Sequence, residues 1–134
     1  MKNKTYFLIY CLLIISVILT SCSPEDDSNS NEPDRDKFLG EWVVNDQCSK
    51  ATYKVQISAD PNNSIQVLIS NFLLTDETAT AIVAGSTITV QSQTLPNGWT
   101  VSGSGVYSTN KIDWSYDYSY QGVSEECTAT FTNP

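Results

Sequence analysis

Not one of the 134 residues is a histidine. That absence removes the commonest general base and the commonest transition-metal ligand, and with them the Ser-His and Cys-His nucleophile systems. Basic residues are also scarce, seven lysines and arginines against fifteen carboxylates, for a net charge of −8. Loss of Lys2 and Lys4 with the leader described below makes the charge more negative still. Phosphate binding needs a basic stripe that releases counterions, so nucleic acid is excluded as a partner. An anionic bilayer surface would repel the chain, whereas cationic proteins would attract it. No stretch after residue 37 shows helical periodicity, and no apolar run reaches the roughly 20 residues of a membrane-spanning helix.

What is present divides the chain into three expected parts: a leader over 1–21, an acidic tether over 22–37 and a folded domain over 38–134. Lys2 and Lys4 precede an almost unbroken apolar run, Tyr6 to Leu19, of the length and flanks of a signal-peptide core. The run ends in Leu19-Thr20-Ser21-Cys22, which resembles the lipobox of bacterial lipoproteins. The resemblance implies cleavage before Cys22, a diacylglyceryl group on its sulfur and acylation of the new amino group. Each buried methylene contributes about 0.8 kcal/mol, and one chain binds only marginally, so two or three chains make a lasting anchor. The segment Ser23 to Asp34 contains no apolar residue other than proline and should stay disordered and self-repelling. Extended, it reaches about 40 Å from the bilayer. An acidic cluster directly after the anchor cysteine is similar to the signal that sends some lipoproteins to the outer face of the outer membrane, and that location is expected here.

From residue 38 onward Val, Ile, Thr, Tyr and Trp dominate, with turn residues at short intervals. The pattern predicts an all-β domain of eight strands near 39–48, 51–59, 64–73, 79–84, 86–92, 98–107, 111–120 and 123–132. Asp60-Pro61-Asn62-Asn63, Gly85, Asn97-Gly98, Thr109-Asn110 and Gly122 mark reversals. Loops this short make neighbours antiparallel, which is an up-and-down meander. Alternation puts Tyr53, Val55 and Ile57 on one face, and likewise Ile112, Trp114, Tyr116, Tyr118 and Tyr120. The same count places Trp42, Val44, Asp46 and Cys48 together, and Glu125, Cys127, Ala129 and Phe131 together. If first and last strands pair, Cys48 meets Cys127, and their disulfide, usual in an exported protein, seals a barrel. Closing that loop contributes roughly 4 kcal/mol in chain-entropy terms.

Phe38-Leu39-Gly40-Glu41-Trp42 resembles the glycine-x-tryptophan opening of lipocalins and their calycin relatives. The resemblance implies an eight-stranded antiparallel barrel with Trp42 plugging its closed end. It covers about five residues, and the chain departs from the family in having no helix after the last strand and no room for a helical lid between the first two. An immunoglobulin-like sandwich fits less well, because it needs a core tryptophan soon after the first cysteine and the next one here is Trp99.

The domain carries no catalytic constellation. Glu125 and Glu126 are neighbours on a strand and face opposite ways; Asp113 and Asp117 share a solvated face; Asp76-Glu77 lacks the spacing of a calcium loop. No enzyme activity, metal or cofactor is therefore expected, and the chain is expected to be a monomer. Trp42, Tyr53, Trp99, Trp114, Tyr116, Tyr118 and Phe131 form the candidate interior. Gly103 and Gly105 on the same face either accommodate those rings or leave a hollow. A hollow would make a binder of a small apolar or amphipathic ligand, as the lipocalin resemblance implies. A filled barrel would act through its rim on a cationic protein, in the manner of the lipoprotein inhibitors of lysozyme, which are similar in plan. The carboxylates of Asp46 and Glu125, turned toward the apolar face, either sit in water at the mouth or orient a ligand.

Overall fold

The computed structural model describes residues 34–134, so the leader, Cys22 and the tether up to residue 33 lie outside the described residues. Eight strands follow a short 3₁₀ turn over Asp34–Phe38: β1 (Gly40–Asp46), β2 (Thr52–Ala59), β3 (Gln66–Ser70), β4 (Thr78–Ala84), β5 (Thr87–Thr94), β6 (Thr100–Ser108), β7 (Lys111–Tyr120) and β8 (Val123–Thr132). Each pairs antiparallel with the next, and β1 pairs with β8 through Val44↔Phe131 and Asp46↔Ala129, closing the barrel. The expected meander is thus the observed fold.

Alternation does the work anticipated of it. Tyr53, Val55 and Ile57 of β2 and Ile112, Trp114 and Tyr116 of β7 are buried, with exposed polar residues between them. Gly103 and Gly105 lie against β7 for a steric reason. A Cβ on Gly105 would stand 2.2 Å from Cε3 of Trp114 and 2.6 Å from Cγ2 of Ile112, and one on Gly103 would stand 2.6 Å from the Ser115 carbonyl oxygen. Gly105 accommodates the Trp114 ring and Gly103 the backbone of β7, so neither leaves a hollow. Trp114 also stacks on Phe131, centroids 5.4 Å apart, and meets Phe72 edge-on at 5.9 Å. Rings from β7 and β8 with Phe72, admitted by the glycines of β6, therefore fill the middle of the barrel.

One end is shut by the start of the domain. Phe38 is fully buried, its carbonyl accepts from Nε1 of Trp42 at 2.7 Å, and Tyr107 packs edge-on against both rings. Arg35 Nη1 donates to the carbonyls of Asp60, Asn63 and Gln66, and Asp34 accepts from the Gly85 amide. Asp34 to Lys37 were expected in the tether. Their polar composition suggested disorder, but Arg35 adds a charged donor to turn carbonyls that already accept backbone amides, tying the segment to the β2–β3 turn, so the ordered domain begins earlier.

Two further differences have local causes. β3 was expected to run to residue 73, yet it ends at Ser70, where Asn71 turns left-handed at φ 59°. Cys48 was expected on the inner face of β1; it lies instead, exposed, in the turn after Asp46, while Cys127 is buried on β8. The disulfide forms nonetheless, across a Cα separation of 5.7 Å. The β4–β5 ladder covers only Ile82↔Thr89 to Ala84↔Thr87. Beyond it the side chain of Gln93 takes the place of a strand, accepting from the Thr80 amide at 3.0 Å and donating to its carbonyl at 2.7 Å.

Candidate functional site

The end opposite the 3₁₀ turn is built from the connections β1–β2, β3–β4, β5–β6 and β7–β8. Asp46 is 5% exposed and organises the first of them. Its Oδ1 accepts from the amides of Cys48 at 2.8 Å and Ser49 at 3.0 Å, which is an Asx turn, and its Oδ2 accepts from the Tyr116 hydroxyl at 2.5 Å. A buried carboxylate with three donors is charge-compatible with its surroundings. On the neighbouring strand pair the Tyr118 hydroxyl donates to Glu125 at 2.6 Å. Trp99, in the β5–β6 turn, packs against the rings of Tyr118 at 5.0 Å and Tyr120 at 5.1 Å. Asp46, Leu73, Trp99, Tyr116, Tyr118 and Glu125 together line a cleft of about 120 Å³, with Cys48 and Ser49 at its edge.

The β3–β4 loop drops Phe72 into the barrel as the floor under this end, fully buried against Trp114. To do so it holds Asn71, Leu73, Leu74 and Asp76 at positive φ. Such a backbone is unfavourable for leucine. It is secured by Asn71 Nδ2 donating to the Lys54 carbonyl, by the Thr75 hydroxyl donating to the Phe72 carbonyl at 2.6 Å, and by the Phe72 amide donating to Glu77 O. Leu74 is left 55% exposed at the rim.

Of the residues singled out from sequence, Trp99, Tyr116 and Tyr118 converge on the cleft. Trp42 lies at the shut end, and Trp114 and Phe131 in the filled middle. Tyr53 is buried, with Asp46 near enough to act on it electrostatically. Asp46 and Glu125 face the cleft, as their inward alternation suggested. The leucines of the β3–β4 loop were missed, since nothing in leucine's chemistry announces a left-handed conformation. Cys48, Glu125 and Cys127 stand close enough to suggest a metal group. Both sulfurs are occupied by their mutual bond, which leaves one carboxylate oxygen donor.

Burial, and behind it the Asp46 charge, pushes the Tyr53 hydroxyl well above the ordinary phenol value of about 10. Burial and then the hydrogen bond to Asp46 do the same to Tyr116. The Tyr118 hydroxyl is raised chiefly by its bond to Glu125. The folded state thus holds these protons more tightly than the unfolded chain. The stabilisation is fully present below about pH 10, the unfolded value, and is lost as pH rises beyond it. Denaturant midpoints should stay level from neutrality to about pH 10 and then fall, with Tyr53 and Tyr116 becoming phenolate only as the barrel opens. Phenolate absorbance followed alongside far-UV dichroism checks this; every tyrosine of the domain titrating before the fold is lost would contradict it.

No protein-family profile, curated protein or solved structure matches the chain. At the level of fold the described residues form a closed eight-stranded antiparallel β-barrel, carrying the disulfide and the mouth cleft set out above.

Proposed function

We propose that the protein is a non-catalytic recognition lipoprotein of the cell envelope, held in the outer membrane by acyl chains on Cys22 and binding its target at the mouth of the barrel. The observation that carries the recognition half is the aromatic and carboxylate-lined cleft at that mouth. The packing of Trp114, Phe131 and Phe72 in the middle of the barrel favours rim recognition over a ligand held in the interior. The chain enters its domain at the shut end, so its own entry point leaves the mouth unobstructed. The anchoring half rests on Leu19-Thr20-Ser21-Cys22 and the acidic stretch behind it.

A second reading keeps a small amphipathic ligand, its apolar end lodged between Trp99 and Leu73 in the same cleft. Native mass spectrometry of the acylated protein from its own host tests it. A one-to-one adduct that disappears in Trp99→Ala would support this reading, and an adduct retained in that variant would overturn the mouth as its site. Fractionation tests the anchor: wild type should sediment with outer membrane and Cys22→Ser should not. Equal sedimentation of both would refute lipidation.

A further inference from the structure

The cleft is small. Pockets for drug-sized molecules occupy about 300 to 1,000 Å³, whereas this one offers about 120 Å³, room for the head of a single side chain but not for an acyl chain. Its polar groups are also one-sided. Asp46 has taken the amide protons of Cys48 and Ser49 and the hydroxyl proton of Tyr116; Glu125 has taken that of Tyr118. What faces an incoming group is therefore mainly acceptor: carboxylate oxygens, phenol oxygens and aromatic rings. The donors left are the Ser49 hydroxyl and the Trp99 indole. A ligand that is itself an acceptor or an anion finds little to bind. A guanidinium or ammonium finds charge-assisted acceptors and ring faces together.

The surroundings of the cleft extend the same preference. Asp76 and Glu77 follow in the β3–β4 loop, and Asp117 and Glu126 lie opposite each other on the outer face of β7 and β8 just below the rim. With Asp46 and Glu125 that makes six carboxylates at this end against Lys50 in the β1–β2 turn and Lys54 early in β2, whose ammonium is already paired with Glu41. The same connections carry exposed apolar side chains, Leu74, Tyr120 and Val123. The leucine is presented by a backbone held in an unfavourable conformation. A central pocket ringed by apolar and acidic residues is the layout of an interface anchored by one buried side chain. A free small cation would leave that ring unused.

We propose that the mouth cleft takes the guanidinium or ammonium head of a basic side chain on a positively charged protein, with Glu125 and Asp46 supplying charge and Trp99, Tyr116 and Tyr118 the ring faces. The proposal rests on the mouth being the recognition surface.

The test uses the full acylated protein in phosphatidylcholine nanodiscs, with labelled tetra-arginine amide as probe and tetra-citrulline amide as its uncharged near-isostere. Binding is read by fluorescence anisotropy. Tetra-arginine should bind at least about tenfold more tightly than tetra-citrulline. Glu125→Gln, which keeps an acceptor for Tyr118, and Trp99→Ala should each weaken tetra-arginine about tenfold. Asp36→Asn, which removes the same charge at the shut end, should change it less than about twofold. Equal weakening by Asp36→Asn and Glu125→Gln would mean diffuse attraction and would overturn the site. If both peptides bind alike and both are lost in Trp99→Ala, the mouth stands and the cation does not. If Trp99→Ala affects neither, the mouth reading itself fails. Free arginine amide binding as tightly as the tetrapeptide would overturn the protein partner. Thermal melting of each variant confirms that the loss is one of binding.

Discussion

Replacing the disulfide by Cys48→Ser with Cys127→Ala should lower the stability of the oxidised domain by about 4 kcal/mol, the largest single effect expected. The bond closes a loop of 79 residues, most of the described chain. Its contribution comes chiefly through the unfolded state, which it denies a large set of conformations. The native turn is held redundantly: the Gln47 amide donates to the Thr128 carbonyl at 2.9 Å, and Asp46 secures the amides of Cys48 and Ser49. The variant should therefore keep native near-UV dichroism while its urea midpoint falls. Its m-value should rise, because the unlinked unfolded chain exposes more surface. Against a typical domain stability of about 5 to 15 kcal/mol this is a large share. A loss below about 1 kcal/mol would show that the unfolded chain is already compact enough for the link to matter little.

Gly105→Ala comes next, with an expected loss of about 3 kcal/mol, the upper part of the range for overpacking a core. In a strand, alanine in place of glycine ordinarily helps slightly by restricting the unfolded backbone, so the sign is diagnostic. Here the new methyl would overlap Trp114 and Ile112. Phe131 on its face and Phe72 at its edge hinder Trp114 from retreating. Adding Trp114→Leu to Gly105→Ala should relieve the overlap, so that the double variant loses less than the two single losses combined by about 1 to 2 kcal/mol. Denaturation of the four proteins completes the cycle. Strict additivity would mean that the methyl is absorbed elsewhere, and a neutral Gly105→Ala would mean that the middle of the barrel is not filled.

The strands were legible because half-buried antiparallel strands leave a period of two in the sequence, and β2 and β7 carry it almost without exception. The closing pair was legible for the same reason, since inward alternation on β1 and β8 pointed toward Cys48 and Cys127 although Cys48 proved to lie in the turn. The ends were harder. Trp42, Tyr116 and Trp99 look alike in sequence, yet one plugs the shut end, one donates to Asp46 and one stands at the rim. Their depth depends on register, and register is set by pairings summed around the whole barrel. The start of the domain was misplaced because Arg35 and Asp34 are polar residues whose partners, Asp60, Asn63, Gln66 and Gly85, lie far along the chain.

Local chemistry in the sequence alone determined the all-β class, the meander order, the pairing of the cysteines, the exclusion of imidazole chemistry and the expectation of an anchor at Cys22. Apart from the cysteine pairing, which also required the first strand to close on the last, all of these depend on neighbours within a few residues or on bulk composition. Only the tertiary structure decided that the barrel is filled and that acceptors, not donors, face its mouth. Whether Gly105 leaves a hollow depends on Trp114 of the adjoining strand, and whether Tyr116 offers its proton depends on Asp46, seventy residues away. Those facts arise from contacts between distant segments, and a linear pattern carries no record of which distant segments meet.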